Sequence, residues 1–230
     1  MSQDAIVIVS ASRTPMGGFM GASSNVSSTE LGSNAIKSAV EKSSVDVDAI
    51  DEVIMGCVLP ASLGQAPARQ AALGAGLNLS STCLTINKVC GSGMKSVMMA
   101  HDLIKAGSAN VVVAGGMESM TNAPHMLPKA RAGYRMGSGE LVDHMMFDGL
   151  TDAYDNLSMG CFAQDTADEY GITREQMDEF AINSLAKANN AIAEGNFAEE
   201  VSPVTIKTRK GDIVVDTDEQ PGKAMPEKIP

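Results

Sequence analysis

The 230 residues predict an α/β protein: a mainly parallel, mixed sheet flanked by helices in the order β-α-β-α-β-α-β, with an α-rich excursion after it. Three observations carry this. Short, continuous apolar runs recur at residues 5–11, 53–58, 82–89 and 110–114, each the length of a strand buried on both faces. Helical patterns separate these runs, and strand and helix in alternation predict a parallel sheet with helices on both faces. The run at 82–89 leads through Cys90-Gly91-Ser92-Gly93 into a helical pattern, which puts a cysteine at the carboxyl end of a strand. Such sheets place their active sites at those ends.

The elements follow in order. Residues 5–11 are short and β-branched, and Arg13-Thr14-Pro15 ends the run. Residues 16–26 are rich in Gly and Ser and read as loop. Ser27-x-x-Glu30 is a capping box that opens a helix with Leu31, Ala35 and Ala39 on one face. Residues 53–58 form the second strand, 60–67 a loop, and 69–75 a short helix closed by Gly76. The third strand, 82–89, ends at Cys90. The helix that follows, 94–105, carries Met94, Val97, Met98, Met99, Leu103 and Ile104, and is apolar nearly all round in its first half. Burial is therefore expected for it, with Gly107 as its terminator. The fourth strand, 110–114, runs into Gly115-Gly116, which permits close packing beside the cysteine turn. From Met120 the texture changes. Residues 121–149 hold Pro124 and Pro128 and leave the sheet. Residues 157–171 and 173–195 read as helices. The second opens on a Thr173-x-x-Gln176 capping box and carries Met177, Phe180, Ala181, Leu185, Ala188 and Ile192 at helical spacing. Residues 204–206 and 213–215 flank Thr208-Arg209-Lys210-Gly211-Asp212 and form a hairpin. Two units result, 1–120 and 121–230.

Composition excludes several classes. A net charge of −11 argues against general nucleic-acid binding. No apolar run approaches the roughly 20 residues of a membrane span, so no membrane partner is expected. The N-terminus Met-Ser-Gln-Asp has no basic region and does not read as a signal peptide. Cys57, Cys83, Cys90 and Cys161 form no C-x-x-C pair, which fits free thiols in a reducing cytoplasm and argues against a metal site. With 16 Met and only 3% aromatic residues, Met is expected to fill much of the core. Gly91-Ser92-Gly93 begins a dinucleotide fingerprint but has Ser96 in the third glycine position. The Gly-x-Ser-x-Gly elbow of serine hydrolases is missing from the sequence.

Cys90 has two readings. A thiol beside the first turn of a helix meets unpaired N–H groups and the positive end of the macrodipole, which favour a thiolate. Gly91 and Gly93 leave room for a substrate to approach. The alternative is a buried structural cysteine in a Gly-rich turn, a common fate of free Cys. The coincidence of Cys90 and Gly115-Gly116 at strand ends favours the nucleophile.

Asn87-Lys88-Val89-Cys90-Gly91-Ser92-Gly93, Ala114-Gly115-Gly116-Met117-Glu118-Ser119-Met120 and Asn122-Ala123-Pro124-His125 together resemble the thiolases, and more narrowly their short-chain type. Ser12-Arg13-Thr14-Pro15, Gly64-Gln65-Ala66-Pro67-Ala68-Arg69-Gln70, Asp148-Gly149-Leu150-Thr151-Asp152-Ala153, Ser158-Met159-Gly160 and Arg209-Lys210-Gly211-Asp212 add to the match. The resemblance implies a thiolase-like fold and an acyltransferase that joins two acetyl-CoA into acetoacetyl-CoA, or reverses that reaction, with no permanently bound cofactor. It implies that Cys90 takes the acetyl group as a thioester and lends its N–H to an oxyanion hole. It makes 121–230 a loop domain for CoA binding and tetramer contacts. Ser158 and Met159 would line the pantetheine channel, where the family often has His-Met-Gly; Ser158 removes a hydrogen-bonding ring. Arg209 would reach the adenine-phosphate end of CoA, or be a solvated surface residue.

The same resemblance implies that the general-base histidine and a second cysteine belong to a second half that these residues do not include. His101, His125 and His144 do not replace them: His101 lies too far along the helix after Cys90, and the other two sit in the loop domain. A homo-oligomer is implied for the full-length form. The competing reading is a non-catalytic CoA-binding or oligomerising fragment, and an incomplete sheet predicts an open edge that invites pairing.

Overall fold

The structure, a computed structural model, describes residues 5–230. Its centre is a three-stranded parallel sheet of β1 (Glu52–Gly56), β2 (Thr82–Ile86) and β3 (Val112–Gly116), in the order β2-β1-β3. In register, Ile54 of β1 lies between Leu84 and Ala114. A central parallel strand needs apolar residues on both faces, and Val53, Ile54 and Met55 are all buried. The strands are tied at their amino ends by Asp51. Its carboxylate accepts the N–H groups of Asn110 (2.6 Å) and Val111 (3.1 Å), which hold it below the usual carboxylate range.

Alternation along β1 sends Val53 and Met55 to one face and Ile54 and Gly56 to the other. On the first face they pack with Ala68, Ala71 and Ala72 of α2 (Pro67–Gly74) and Ile36 of α1 (Ser28–Ser43). Helix α1 starts at the predicted capping box, with both Ser27–Glu30 bonds formed, and ends at Ser44 in the left-handed conformation. The second face receives α3 (Ser92–Ala106). Beyond β3, β4 (His125–Met126) pairs with β5 (Val142–Asp143), and a π-helical turn spans Met145–Leu150. Then come α4 (Met159–Glu169) and α5 (Arg174–Ala193), the latter on its predicted Thr173–Gln176 box. The predicted hairpin forms as β6 (Val204–Thr208) and β7 (Gly211–Val215), before α6 (Glu219–Lys223). Its Val204, Ile206 and Val215 pack against Val26 and Leu31 at the start of α1.

Three expectations need correction. Residues 5–11 form no strand: Val7, Ile8 and Val9 are each more than 60% exposed. A β-branched run suits a pleated, half-buried surface, but makes a ladder only beside a fixed partner. Among the described residues the backbone of this segment first bonds at Arg13, whose N–H and C=O join Glu200 and Ser202 (2.9 and 2.7 Å). The sheet therefore has three strands, not four. Secondly, α3 is not buried all round. Its buried stripe is Ser92, Ser96 and Ala100, while Met94, Val97 and Met98 are exposed. Gly56 and Gly116 let the helix come so close that only small side chains fit beneath it, which leaves the large apolar ones outside. Thirdly, of the methionines among the described residues only Met55 and Met117 belong to the buried core. Ala, Ile and Val fill most of the rest.

Candidate active site

The turn after β2 is built by two side chains that satisfy its backbone. The Asn87 Oδ1 accepts the Val89 N–H (2.8 Å), an Asx-type turn. The Asn87 Nδ2 donates across to the Val58 carbonyl (3.2 Å). Buried Ser92 accepts the Lys88 N–H (2.7 Å) and donates to the Val89 carbonyl (2.6 Å). These bonds hold Val89 at φ +48°, in the left-handed region. For a β-branched residue that is an outlier costing on the order of 1–3 kcal/mol, tolerated only where the surroundings over-determine it. The strain thus sits one residue before Cys90, on valine.

Cys90 emerges from this turn exposed, immediately before the N-cap Gly91 of α3. Its N–H has no hydrogen-bond partner among the described residues. Gly93 abuts Gly116, and Ser96 Oγ bonds the carbonyls of Gly93 and Gly115 (2.6 and 2.8 Å), which fixes the start of α3 on the end of β3. Gly56 is equally constrained. A Cβ there would lie 2.6 Å from the Ser92 Cβ and 2.9 Å from the Gly93 N. Gly56→Ala is expected to lift the first turn of α3, destabilise the fold by about 1–3 kcal/mol and disturb Cys90. Thermal unfolding and thiol labelling of the variant check this.

The other cysteines differ. Cys57 is buried beside Glu118, and burial followed by that negative charge pushes its thiol up to about 12. Burial also raises Cys83, although the positive charge of Arg69 works against it. Both are poor nucleophiles. Cys161 is exposed, its sulfur 3.5 Å from the Ser158 Oγ.

The remaining expected site residues stand on other elements than Cys90. Helix α3 packs on β1 and β3. Ser158 is the N-cap of α4, Met159 its first residue, and Arg209 sits at the exposed tip of the β6–β7 hairpin. Two surface clefts stand out among the described residues, one around Phe197, Pro203 and Asp218 and one around Ser38, Lys42 and Glu199. Neither contains Cys90, Ser158, Met159 or Arg209.

Among the described residues no histidine hydrogen-bonds the Cys90 thiol. His101 is on the exposed side of α3, beside Asp102. His125 is on β4. His144 is buried: its Nε2 accepts the Ala61 N–H (3.4 Å), so its Nδ1 carries the proton donated to Asp148 (2.5 Å). Among the described residues there is no helix long and apolar enough to cross a membrane, and no His/Cys/Asp/Glu cluster fit for a metal.

An exposed cysteine at the carboxyl end of a parallel strand, on a strained turn before a helix, marks an α/β protein with a thiol at the sheet end where such folds carry their sites. Comparison with known proteins makes this specific. The family described as thiolase, N-terminal domain, matches residues 6–228, and the chain belongs to the thiolase family. It is 48% identical over 226 residues to an acetyl-CoA acetyltransferase of Syntrophomonas wolfei, covering 97% of this chain and 57% of that protein. It is 53% identical over 215 residues to one from Cupriavidus necator (93% and 55%). The Saccharomyces cerevisiae enzyme of that name is 50% identical over 234 residues (100% and 58%). The chain thus spans a little over half the length of the curated relatives it matches.

Proposed function

We propose that these residues are the nucleophile-bearing part of an acetyl-CoA acetyltransferase, a cytoplasmic homo-oligomer in its full-length form. The observation that carries this is Cys90, exposed on a braced turn before α3. In the first half-reaction the Cys90 sulfur attacks the thioester carbonyl of acetyl-CoA. A new C–S bond forms, the bond to the CoA sulfur breaks, and CoA leaves as thiolate to be protonated. In the second, a base removes an α-proton from another acetyl-CoA. The resulting carbanion attacks the acetyl-Cys90 carbonyl, giving acetoacetyl-CoA and the free Cys90 thiolate. The Cys90 N–H is a donor for the oxyanion of each tetrahedral intermediate. CoA and its esters are substrates, and no other group is required.

Residues 1–120 carry the nucleophile and 121–230 act as the loop domain. There Ser158 and Met159 meet the pantetheine and Arg209 the nucleotide phosphates, each reading supported by motif position. The base for either step comes from outside these residues, since the three histidines are placed elsewhere. The chain alone is therefore expected to turn over negligibly, as positioned acid–base groups are worth about 10²–10⁴-fold. The test is acetyl-CoA incubation of the full-length protein, followed by intact and peptide mass. An acetyl group on the Cys90 peptide supports the reading, and acetyl-free Cys90 overturns it. Robust turnover by the 230 residues alone would refute the missing base.

A further inference from the structure

The motif residues Glu118 and Asn87 are left without a task by the chemistry above, yet they are joined by a short continuous bond path. Glu118 stands two residues past the end of β3. Its carboxylate accepts two consecutive backbone donors, Val58 N–H (2.7 Å) and Leu59 N–H (3.2 Å). These belong to the segment that leaves β1. The carbonyl of the same Val58 accepts the Asn87 Nδ2, and the other end of that amide accepts the Val89 N–H. Val89 is the strained residue that delivers Cys90. Three steps therefore run from a carboxylate on one strand end, through a backbone segment on the next, to the nucleophile turn on the third.

We infer that Glu118 is a positioning residue for Cys90, acting through Val58 and Asn87. A charged acceptor makes stronger bonds than a neutral one, and two adjacent N–H groups on one carboxylate fix both the place and the tilt of the Val58 peptide. That peptide holds the Asn87 amide, and the amide pays out its other bond to a left-handed valine that no local preference would keep there. Without the carboxylate, Val58 and Leu59 lose their acceptor, and the segment turns to find others. The Asn87 amide then loses its anchor and Val89 relaxes. Cys90 is then no longer held in place before the first turn of α3. The inference rests on the nucleophile reading of Cys90.

The test is iodoacetamide labelling of all four cysteines in one sample, read by peptide mass over a pH series. Exposed Cys161, which neither substitution touches, is the internal standard for labelling, and buried Cys57 reports opening of the fold. In Glu118→Gln, the rate at Cys90 relative to Cys161 should fall about fivefold, a size ordinary for groups coupled in one network, with Cys57 still protected. Asn87→Ser, which keeps a short acceptor for Val89 but cannot span to Val58, should give the same fall. The double variant should fall no further.

An unchanged ratio in the single variants, or effects that multiply in the double, overturns the inference. If Glu118→Gln exposes Cys57, then Asn87→Ser decides alone: the fall supports the link and an unchanged ratio refutes it. Wild-type Cys90 reacting no faster than free cysteine at any pH would remove the nucleophile reading itself. Fast wild-type labelling with insensitive variants would remove only the role given to Glu118 and Asn87.

Discussion

Replacing Cys90 by serine in the full-length protein is expected to lower acetoacetyl-CoA thiolysis by at least on the order of 10⁴-fold, the scale of losing an enzyme's nucleophile. Three physical differences act in the same direction. A hydroxyl is a weak nucleophile unless a base takes its proton during attack, whereas a thiol is intrinsically reactive and partly ionised near neutral pH. Any ester formed on serine would be a poorer acyl donor than a thioester, so the second half-reaction would stall as well. Sulfur also exchanges its acyl group with CoA nearly isoenergetically, because the same kind of bond is broken and made. The side chain itself contributes little to the fold. Cys90 is exposed, and the turn is held by Asn87 and Ser92. The unfolding midpoint should accordingly stay close to wild type, since surface changes of this kind lie within about 0.5 kcal/mol. Steady-state rates and thermal melts on one preparation check both halves. Activity within tenfold of wild type would mean that another group accepts the acyl chain.

Much of this site is legible in the sequence, because strand-turn-helix punctuation survives in short motifs. The Cys90 turn, the Gly115-Gly116 approach, both capping boxes and the β6–β7 hairpin are set by local residue chemistry and appear where the patterns put them. What periodicity cannot show is which partner is present. Residues 5–11 have the composition of a central strand, yet they carry no ladder here. Helix α3 has an apolar outer side whose Met94 and Met98 are exposed, while its small residues face the sheet. A hydropathy count favours the large residues as the buried ones, and the steric demand of close packing on Gly56 and Gly116 reverses that. The brace on Val89 was hidden for another reason. A left-handed valine has no sequence signature of its own, and Asn87 and Glu118 become linked only when three strand ends meet.

Arg13→Met is expected to destabilise the folded chain by about 3 kcal/mol, the lower end of the range for breaking a buried ion pair. The guanidinium makes a two-pronged bond to Asp218 (2.7 and 3.0 Å), a third bond to Glu200 (2.7 Å), and lies 5.1 Å from the Phe197 ring centroid. Methionine keeps most of the stem but leaves Asp218, only 8% exposed, as an unpaired charge. For a chain of this length the melting midpoint should drop by about 6–12 °C. Adding Asp218→Asn should recover part of the loss, because an amide has no charge to strand. The pH dependence identifies the pair. Burial pushes the Asp218 carboxyl up, but Arg13 and the Met16 N–H outweigh it and hold it below its ordinary value of 3.8. A depressed carboxyl stabilises the fold fully above its unfolded value and loses that contribution as pH falls through the folded one. Glu219 adds to the same window: Lys223 and the N–H groups of Gly18 and Ala22 hold it at about 2. Wild type should therefore lose stability as pH drops from about 4 towards 2. In Arg13→Met the Asp218 share of that slope should vanish, and a carboxyl left to burial alone regains stability on protonation, so the gap to wild type should narrow as pH falls. Acid titrations of both proteins followed by circular dichroism measure this, and coincident curves would show that the pair contributes nothing.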